Sequence, residues 1–144
     1  VCEIPIIYTT PKANNKLFIV DSDGEQPDGF KHEVALAVNT AEGIVVFSGC
    51  SHNGVLNILE ACSIYFNQPQ IIACIGGTHL IDSDAINKFE TESEINEIGK
   101  TIVSSYPNMQ LITGHCTGIN VQSQLSKILG VNFKSFHSGT YLSF

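Results

Sequence analysis

The stretch IVVFSGCSHNG, residues 44–54, decides the fold of this chain. It begins with an apolar run that lacks the alternation of a one-sided strand, which is typical of strands covered on both faces of a sheet. Apolar residues then recur at helical spacing from Val55 to Phe66. We therefore predict a buried strand at 43–48, a turn, and a helix over 54–66. A strand that only fills a core does not need the imidazole of His52 at its exit.

Two later stretches repeat this arrangement. IIACI (71–75) is followed by GGTH, and MQLIT (109–113) is followed by GHC, so His79 and His115 also stand just beyond apolar strands and beside glycine. In an open α/β sheet the carboxyl ends of the strands lie along one edge, where ligands bind. Three imidazoles delivered from three strands can therefore converge on one point at that edge.

Two further helices are marked by their ends. Thr91 and Glu94 form a capping-box pattern ahead of a helix that ends at Pro107. Thr117 is predicted to cap a last helix that stops at Gly130.

The remaining segments are predicted to be strands and one loop. Residues 33–39 are expected to pair with 43–48 as a hairpin, and DSDGEQPDG (21–29) reads as an acidic, turn-rich loop. Its glycine falls two positions too early for a calcium loop, and no helices flank it. Further strands are predicted at 4–8, 17–20, 131–136 and 140–144.

Together these elements predict an α/β fold, with one β-sheet and helices on one face. The nearly continuous apolar strands need cover on the second face as well. No further segment of the 144 residues is left to provide that cover. Either a second copy of the chain or a missing partner segment is therefore expected to pack there.

The three strand-exit histidines predict a metal site. Neutral imidazole is the commonest nitrogen ligand for zinc, and a rigid strand end holds it at fixed geometry. Iron, manganese and nickel suit three histidines too, so the identity and number of ions stay open. Taken singly, each histidine is more simply explained as a hydrogen-bonded turn residue, but the shared context of His52, His79 and His115 favours metal. His32 and His137 lack that context and are expected to be solvated.

Polar residues beside the histidines are expected to line the pocket or to orient a ligand, namely Cys50, Cys116, Asp82 and Thr117. A cysteine nucleophile with a histidine base is the alternative role for Cys50 or Cys116. Two features argue against it. A cysteine next to a histidine in sequence does not usually face it in space, and no acid is obviously placed to orient a base. Asp82 and Asp84 are equally compatible with a solvated loop.

Composition excludes several classes of function. The formal charge is −7 and all seven basic residues are lysine, so no guanidinium is present to read base edges or phosphates. We therefore expect no nucleic-acid partner. No apolar run has the length of a membrane span, and the five cysteines show no paired spacing. We expect reduced cysteines in a cytoplasmic protein that acts on a small-molecule substrate, with no membrane partner.

The ordered motifs GIVVFSGCSHNGVLNIL, CIGGTHL and ITGHCTG resemble the second half of a metallo-β-lactamase-fold metallohydrolase. DGFKHEVALAVNTAEG is similar to the lead-in strand of the branch that contains dihydropterin-ribofuranosylaminobenzene phosphate synthase-like proteins. The resemblance covers about residues 26–144. It implies that residues 1–144 are a single domain, the C-terminal half of a metallo-β-lactamase-like domain, because the His-x-His-x-Asp-His motif of the first half is absent from the sequence.

This resemblance implies half of an αββα sandwich, with a one- or two-metal site at one edge of the two sheets. By position, His52 would bind the first metal and His115 the second. His79 stands where most of the superfamily has a bridging aspartate, so it is either a ligand or a catalytic residue that acts on substrate. The implied activity is hydrolysis of an ester, phosphoester, lactone or similar small metabolite by metal-bound water.

The resemblance also implies that this chain supplies only part of the metal site. By itself it is then expected to be inactive or weakly active, and the missing N-terminal half or a homodimer partner would cover the second sheet face. The alternative is a non-catalytic half-domain that dimerises or docks through that exposed face.

Overall fold

A computed structural model describes residues 1–67 and 70–142. The helices and strands follow one another in this order: a 3-10 helix (Lys12–Lys16), β1 (Phe18–Asp21), β2 (Gly24–Pro27), β3 (Ala35–Asn39), β4 (Ile44–Ser48), α1 (Val55–Tyr65), β5 (Ile71–Gly76), α2 (Glu92–Ser105), β6 (Gln110–Thr113), α3 (Ile119–Leu129), a 3-10 helix (Gly130–Asn132) and β7 (Phe133–Ser135). Strands β3 to β7 form one sheet in sequential order, and β1 and β2 form a separate hairpin.

The five-stranded sheet explains where the helices lie. β3 pairs antiparallel with β4, whereas β4, β5, β6 and β7 run parallel with a helix or 3-10 segment in each connection. Because right-handed crossovers that all step in one direction place their helices on one face, α1, α2 and α3 share a face of the sheet. The predicted α/β fold, with one sheet and helices on one face, is confirmed.

The hydrophobic core lies between that face and the helices. Val46, Cys74 and Leu111 are register neighbours on adjacent strands, and they belong to one buried cluster with Ile58 of α1 and Leu125 of α3. All five are at most 1% exposed. Complete burial of an aliphatic side chain of this size contributes about 1.5–3 kcal/mol, so this layer fixes the positions of the strand ends.

The opposite face of the sheet carries apolar side chains outside this core. Leu36, Phe47 and Ile75 are register neighbours there. Leu36 is 62% exposed, Phe47 37% and Val38 41%. In the part of the chain that the structure describes, the helices therefore cover one face, and a row of large apolar side chains faces outward on the other.

The ends of α2 and α3 agree with the sequence. The Thr91 side chain accepts from the backbone N–H of Glu94, and the Glu94 carboxylate accepts in return from the N–H of Thr91, which completes the predicted capping box. Gly130 ends α3 with φ 57° and ψ −124°, a conformation that a residue with a Cβ rarely adopts.

The predicted strand at 4–8 is wrong. The backbone N–H groups of Ile7 and Tyr8 donate to the side-chain Oδ1 of Asn57, at 2.8 and 2.7 Å, instead of to a neighbouring strand. A buried side-chain amide thus takes the place of a β-ladder.

The acidic segment 21–29 is a loop only in part. Its residues Gly24–Pro27 form β2, which pairs antiparallel with β1. Gly24 has φ +109°, and the Asp21 carboxylate accepts from the N–H of Asp23, so that the chain reverses within two residues. The acidic residues therefore form a hairpin turn.

The predicted closing strand at 140–144 is also wrong for the residues that are described. The N–H of Thr140 donates to the carbonyl of His137 in a turn, and residues 140–142 form no strand, while 143–144 lie outside the described residues. Within the described ranges, no helix combines the length and the apolar character needed to cross a membrane.

Candidate metal centre at the sheet edge

The carboxyl ends of β4, β5 and β6 pack directly against one another. The N–H of Gly77 donates to the carbonyl of Gly49 at 2.7 Å, and the Ser51 hydroxyl donates to the carbonyl of Gly77 at 2.6 Å. A Cβ on Gly77 would lie 2.6 Å from the carbonyl oxygen of His115. Glycine is therefore required at this position, because the three strand exits meet there.

His52 and His79 are in direct contact at this edge. Their ring centroids are 4.1 Å apart with an interplanar angle of 55°. His79 is only 9% exposed, and neither of its ring nitrogens has a hydrogen-bond partner among the described residues. Burial, together with the charges of His52 and His115, lowers the pKa of His79 to about 4. The imidazole is thus neutral at physiological pH and offers a nitrogen lone pair.

The His52 ring is oriented by two neighbours. Phe30 stacks on it with centroids 4.2 Å apart and an interplanar angle of 5°. Asn14 Nδ2 donates to the His52 carbonyl at 2.7 Å, and this places Asn14 Oδ1 3.1 Å from His52 Nδ1. Because Asn14 Oδ1 can only accept, His52 Nδ1 carries the proton and Nε2 keeps its lone pair.

Glu33 holds the backbone of the same turn. Its carboxylate accepts from the N–H groups of His52 and Asn53 at 2.7 and 2.6 Å. Burial lowers the pKa of His52, and the charge of Glu33 opposes that change. Asn14, Phe30 and Glu33 are site residues that the sequence patterns do not predict. The only sequence signal for two of them is that Phe30 and Glu33 lie in the lead-in stretch DGFKHE, which carries part of the family resemblance.

His115 lies in a second cluster, with the two cysteines of the strand exits. The Cys50 Sγ is 3.2 Å from His115 Nε2, the Cys116 Sγ is 3.3 Å from the same nitrogen, and the two sulfurs are 3.5 Å apart. The expectation that a cysteine next to a histidine in sequence does not face it in space is wrong for Cys116. The reason is its backbone, since φ of +45° turns the side chain back toward His115.

The thiol of Cys50 is not activated as a nucleophile. Burial raises its pKa to about 11, and the neighbouring Cys116 thiol acts in the same direction. A thiol with such a pKa is protonated at neutral pH, whereas catalytic cysteines have a lowered pKa. This disfavours the cysteine–histidine alternative.

The N-terminus of α3 is capped by Asp82 instead of by Thr117. The N-cap residue of α3 is Gly118, which has no side chain to cap the helix. The Asp82 carboxylate does so instead, and it accepts from the N–H groups of Asn120 and Val121 at 3.0 and 3.2 Å. The prediction that Thr117 caps this helix is wrong. A carboxylate at a helix N-terminus is favoured by the helix dipole, so Asp82 is engaged with α3.

The Thr117 side chain instead joins the strand exits. Its hydroxyl lies 3.0 Å from that of Thr78 and 2.7 Å from that of Thr113, all three being buried. His32 and His137 are exposed, as expected for solvated residues.

Strained backbone is concentrated at this edge. Of the five non-glycine residues with positive φ in the described part of the chain, four lie here: Phe30, Ser51, His79 and Cys116. Such conformations cost about 1–3 kcal/mol each, and they cluster at functional sites. Each of the three strand exits contains one of them, which marks the whole edge as a candidate functional site.

Comparison with known proteins agrees with this placement. No family model matches the chain. It is 28% identical to the 7,8-dihydropterin-6-methyl-4-(beta-D-ribofuranosyl)-aminobenzene-5'-phosphate synthase of Methanocaldococcus jannaschii over 117 aligned residues. The aligned region covers 81% of this chain and 37% of that protein. The crystal structure of a metal-dependent hydrolase of the beta-lactamase superfamily matches with a TM-score of 0.74 and 29% identity, over 88% of this chain and 46% of that one.

The chain thus spans less than half the length of either relative. The resemblance that its motifs indicate is confirmed. The chain has the fold of one half of a beta-lactamase-superfamily domain, and over most of its length it is similar to a metal-dependent hydrolase of that superfamily.

Proposed function

We propose that this chain carries the C-terminal part of a metal-dependent hydrolase, with His52, His79 and His115 at the metal centre. The observation that carries the proposal is the state of His79. Its imidazole is buried against His52, and both ring nitrogens lack a hydrogen-bond partner among the described residues. A buried polar group left in this way costs about 1–3 kcal/mol. Binding to an ion or to substrate would recover that cost.

The residues of the chain fit this role. A divalent ion at such a site polarises the substrate and activates water for attack. The chain prepares the site in two ways: Asn14 sets the His52 tautomer that leaves Nε2 unprotonated, and burial keeps His79 neutral. His79 is therefore either a ligand or the residue that touches substrate. Zinc suits these ligands best, with iron, manganese and nickel as alternatives, for one ion or two.

The substrate is an ester, phosphoester, lactone or similar small metabolite in the cytoplasm. Support comes from the solved relative, which is a metal-dependent hydrolase of the beta-lactamase superfamily. The described cysteines Cys2, Cys50, Cys62, Cys74 and Cys116 are all free thiols, as suits a reducing compartment.

Residues 1–144 act as a single half-domain in this proposal. The exposed apolar row at Leu36, Val38 and Phe47 is then the surface on which a second sheet packs. Either a missing N-terminal half or a second copy of the chain supplies that sheet and the remaining metal ligands. The chain alone supplies part of the site, so we expect it to bind metal weakly and to be inactive or weakly active.

Hydrolysis of chromogenic esters, phosphoesters and lactones, with and without chelator, tests the proposal in the assembled protein. We expect chelator to abolish activity and zinc to restore it. His52→Ala and His79→Ala should lose activity, whereas the exposed control His137→Ala should keep it. Unchanged turnover in excess chelator would contradict a metal-dependent mechanism.

The exposed sheet face favours one other candidate, a non-catalytic half-domain that dimerises or docks through it. Leu36, at 62% exposure, is the clearest observation in its favour. Solution mass and metal content separate the two functions. A metal-free dimer would support the non-catalytic module, whereas a stoichiometric ion bound by histidine would support the hydrolase.

A further inference from the structure

The second cluster at the sheet edge brings together three side chains that are all metal ligands by chemistry. Cys50 comes from the exit of β4, and His115 and Cys116 come from the exit of β6. Their ligand atoms form a triangle with sides of 3.2, 3.3 and 3.5 Å. We propose that Cys50, His115 and Cys116 form a sulfur-rich site for a thiophilic divalent ion such as zinc.

The size of the triangle agrees with tetrahedral zinc. With Zn–S bonds of about 2.3 Å and Zn–N bonds of about 2.0–2.1 Å, tetrahedral angles put two sulfurs about 3.8 Å apart and a sulfur and a nitrogen about 3.6 Å apart. The three observed distances are shorter by only about 0.3–0.4 Å. Small side-chain rotations would therefore admit the ion, with no change in the backbone.

The backbone is already arranged for this cluster. Cys116 has φ +45°, a left-handed conformation that residues with a Cβ seldom adopt. Both cysteines of the cluster are only half-buried, so hydrophobic packing of their side chains does not offset the cost of that conformation. Coordination of an ion by the three side chains would offset it.

The site is open on one side. His115 is exposed, so an ion has a path from solvent and keeps a coordination position for water or substrate. Three protein ligands with one open position is the arrangement of catalytic rather than structural zinc sites. Sulfur ligands also select zinc over manganese or magnesium. Each thiol releases its proton to solvent when it binds the ion.

This inference deepens the proposed metal centre, on which it rests only through the shared residue His115. It adds two thiolates, those of Cys50 and Cys116, as metal ligands. The histidine motifs alone predict a site with nitrogen ligands only. His52 and His79 lie in a separate ring-to-ring contact and are not part of the triangle. The two ligand groups can therefore be tested separately.

Cobalt titration under reducing conditions tests the proposal, since cobalt reports sulfur ligation by an intense near-ultraviolet charge-transfer band. We expect that band in the wild-type protein and, undiminished, in the exposed-thiol control Cys2→Ser. It should fall about twofold in Cys50→Ser and in Cys116→Ser, and disappear in the double variant. Far-ultraviolet circular dichroism verifies that each variant is folded.

Two results would overturn the proposal and leave the hydrolase proposal intact: cobalt binding without a charge-transfer band, and equal alkylation of Cys50 and Cys116 with and without zinc. Protection of both thiols by zinc would support it. The variant His52→Ala further separates the sulfur-rich site from the hydrolase proposal. It should keep the band even though hydrolysis is lost, and loss of the band in His52→Ala would show that the cysteines are not a ligand group of their own.

Discussion

The buried amide of Asn57 connects the N-terminal segment to the turn that carries His52. Asn57 is 0% exposed and uses its hydrogen-bonding capacity fully. Its Oδ1 accepts from the N–H groups of Ile7 and Tyr8 at 2.8 and 2.7 Å, and its Nδ2 donates to the carbonyls of Tyr8 and Asn53 at 2.9 and 2.7 Å. Removal of this one side chain should therefore loosen two segments at once.

The substitution Asn57→Ala eliminates all four hydrogen bonds. At a net contribution of about 0.5–1.5 kcal/mol per bond, the free energy of unfolding should fall by about 2–6 kcal/mol. With a urea dependence of about 2 kcal/mol per molar, the unfolding midpoint should fall by about 1–3 M. Urea titration followed by far-ultraviolet circular dichroism measures this change.

Asn120→Ala is the matched control, because Asn120 is an exposed asparagine in the first turn of α3. Its effect should stay within about 0.5 kcal/mol. A loss below about 1 kcal/mol for Asn57→Ala, or one equal to that of the control, would refute the reasoning. It would mean that this amide does not hold residues 7–8 in place.

Three further predictions concern the capping box, the strand exits and the buried imidazole. Thr91→Ala should lower the free energy of unfolding by about 1 kcal/mol in urea titration, because it removes the N-cap of α2; an unchanged midpoint would contradict this. Gly77→Ala should destabilise the protein by about 1–3 kcal/mol and weaken zinc binding in calorimetry, since the new Cβ would lie 2.6 Å from the His115 carbonyl. Gly49→Ala, with no atom within 4 Å of the added Cβ, is its control, and equal effects of the two would exclude the steric explanation. In the metal-free protein, the free energy of unfolding should fall by about 1–2 kcal/mol from pH 7 to pH 5. The reason is that His79 is protonated near pH 6.5 in the unfolded chain, whereas in the folded protein its buried imidazole has a pKa of about 4 and stays neutral. His79→Gln should lack this part of the decline, and identical pH slopes in unfolding titrations would show that His79 titrates normally.

Much of the fold follows from hydrophobic periodicity and end signals. The apolar runs of β4, β5 and β6 indicate strands covered on both faces, and helical spacing places α1 within one residue of its predicted ends. The capping box at Thr91 and the stop at Gly130 are local chemistry, so sequence alone identifies them. The row of outward-facing apolar side chains on the second sheet face agrees with the same reasoning.

Two of the wrong predictions share a physical cause, which is that a long-range side-chain contact overrides the local pattern. IPIIY looks like a strand, but its N–H groups bond to Asn57, which is about 50 positions later in sequence. Likewise Asp82 caps α3 from 38 positions away, and this leaves Thr117 for the buried hydroxyl cluster. Neither contact has a signature in the local sequence.

Part of the candidate site was also predictable from the sequence. Three strand-exit histidines can be read from the sequence, because each follows an apolar run and stands beside glycine. Their division into a His52–His79 contact and a separate cluster around His115 depends on left-handed backbone at His79 and Cys116, which residue type does not reveal. Asn14 reaches the site from the first 3-10 helix, and Glu33 reaches it from the loop before β3.

Metal content per chain, measured by elemental analysis of the assembled protein purified without added metal, tests the central claim most directly. We expect a stoichiometric ion in the wild type, and the same content in the exposed-histidine control that combines His32→Ala and His137→Ala. The triple variant His52→Ala, His79→Ala and His115→Ala should contain none. A metal-free wild type, or equal metal in the triple variant and the control, would contradict the metal centre.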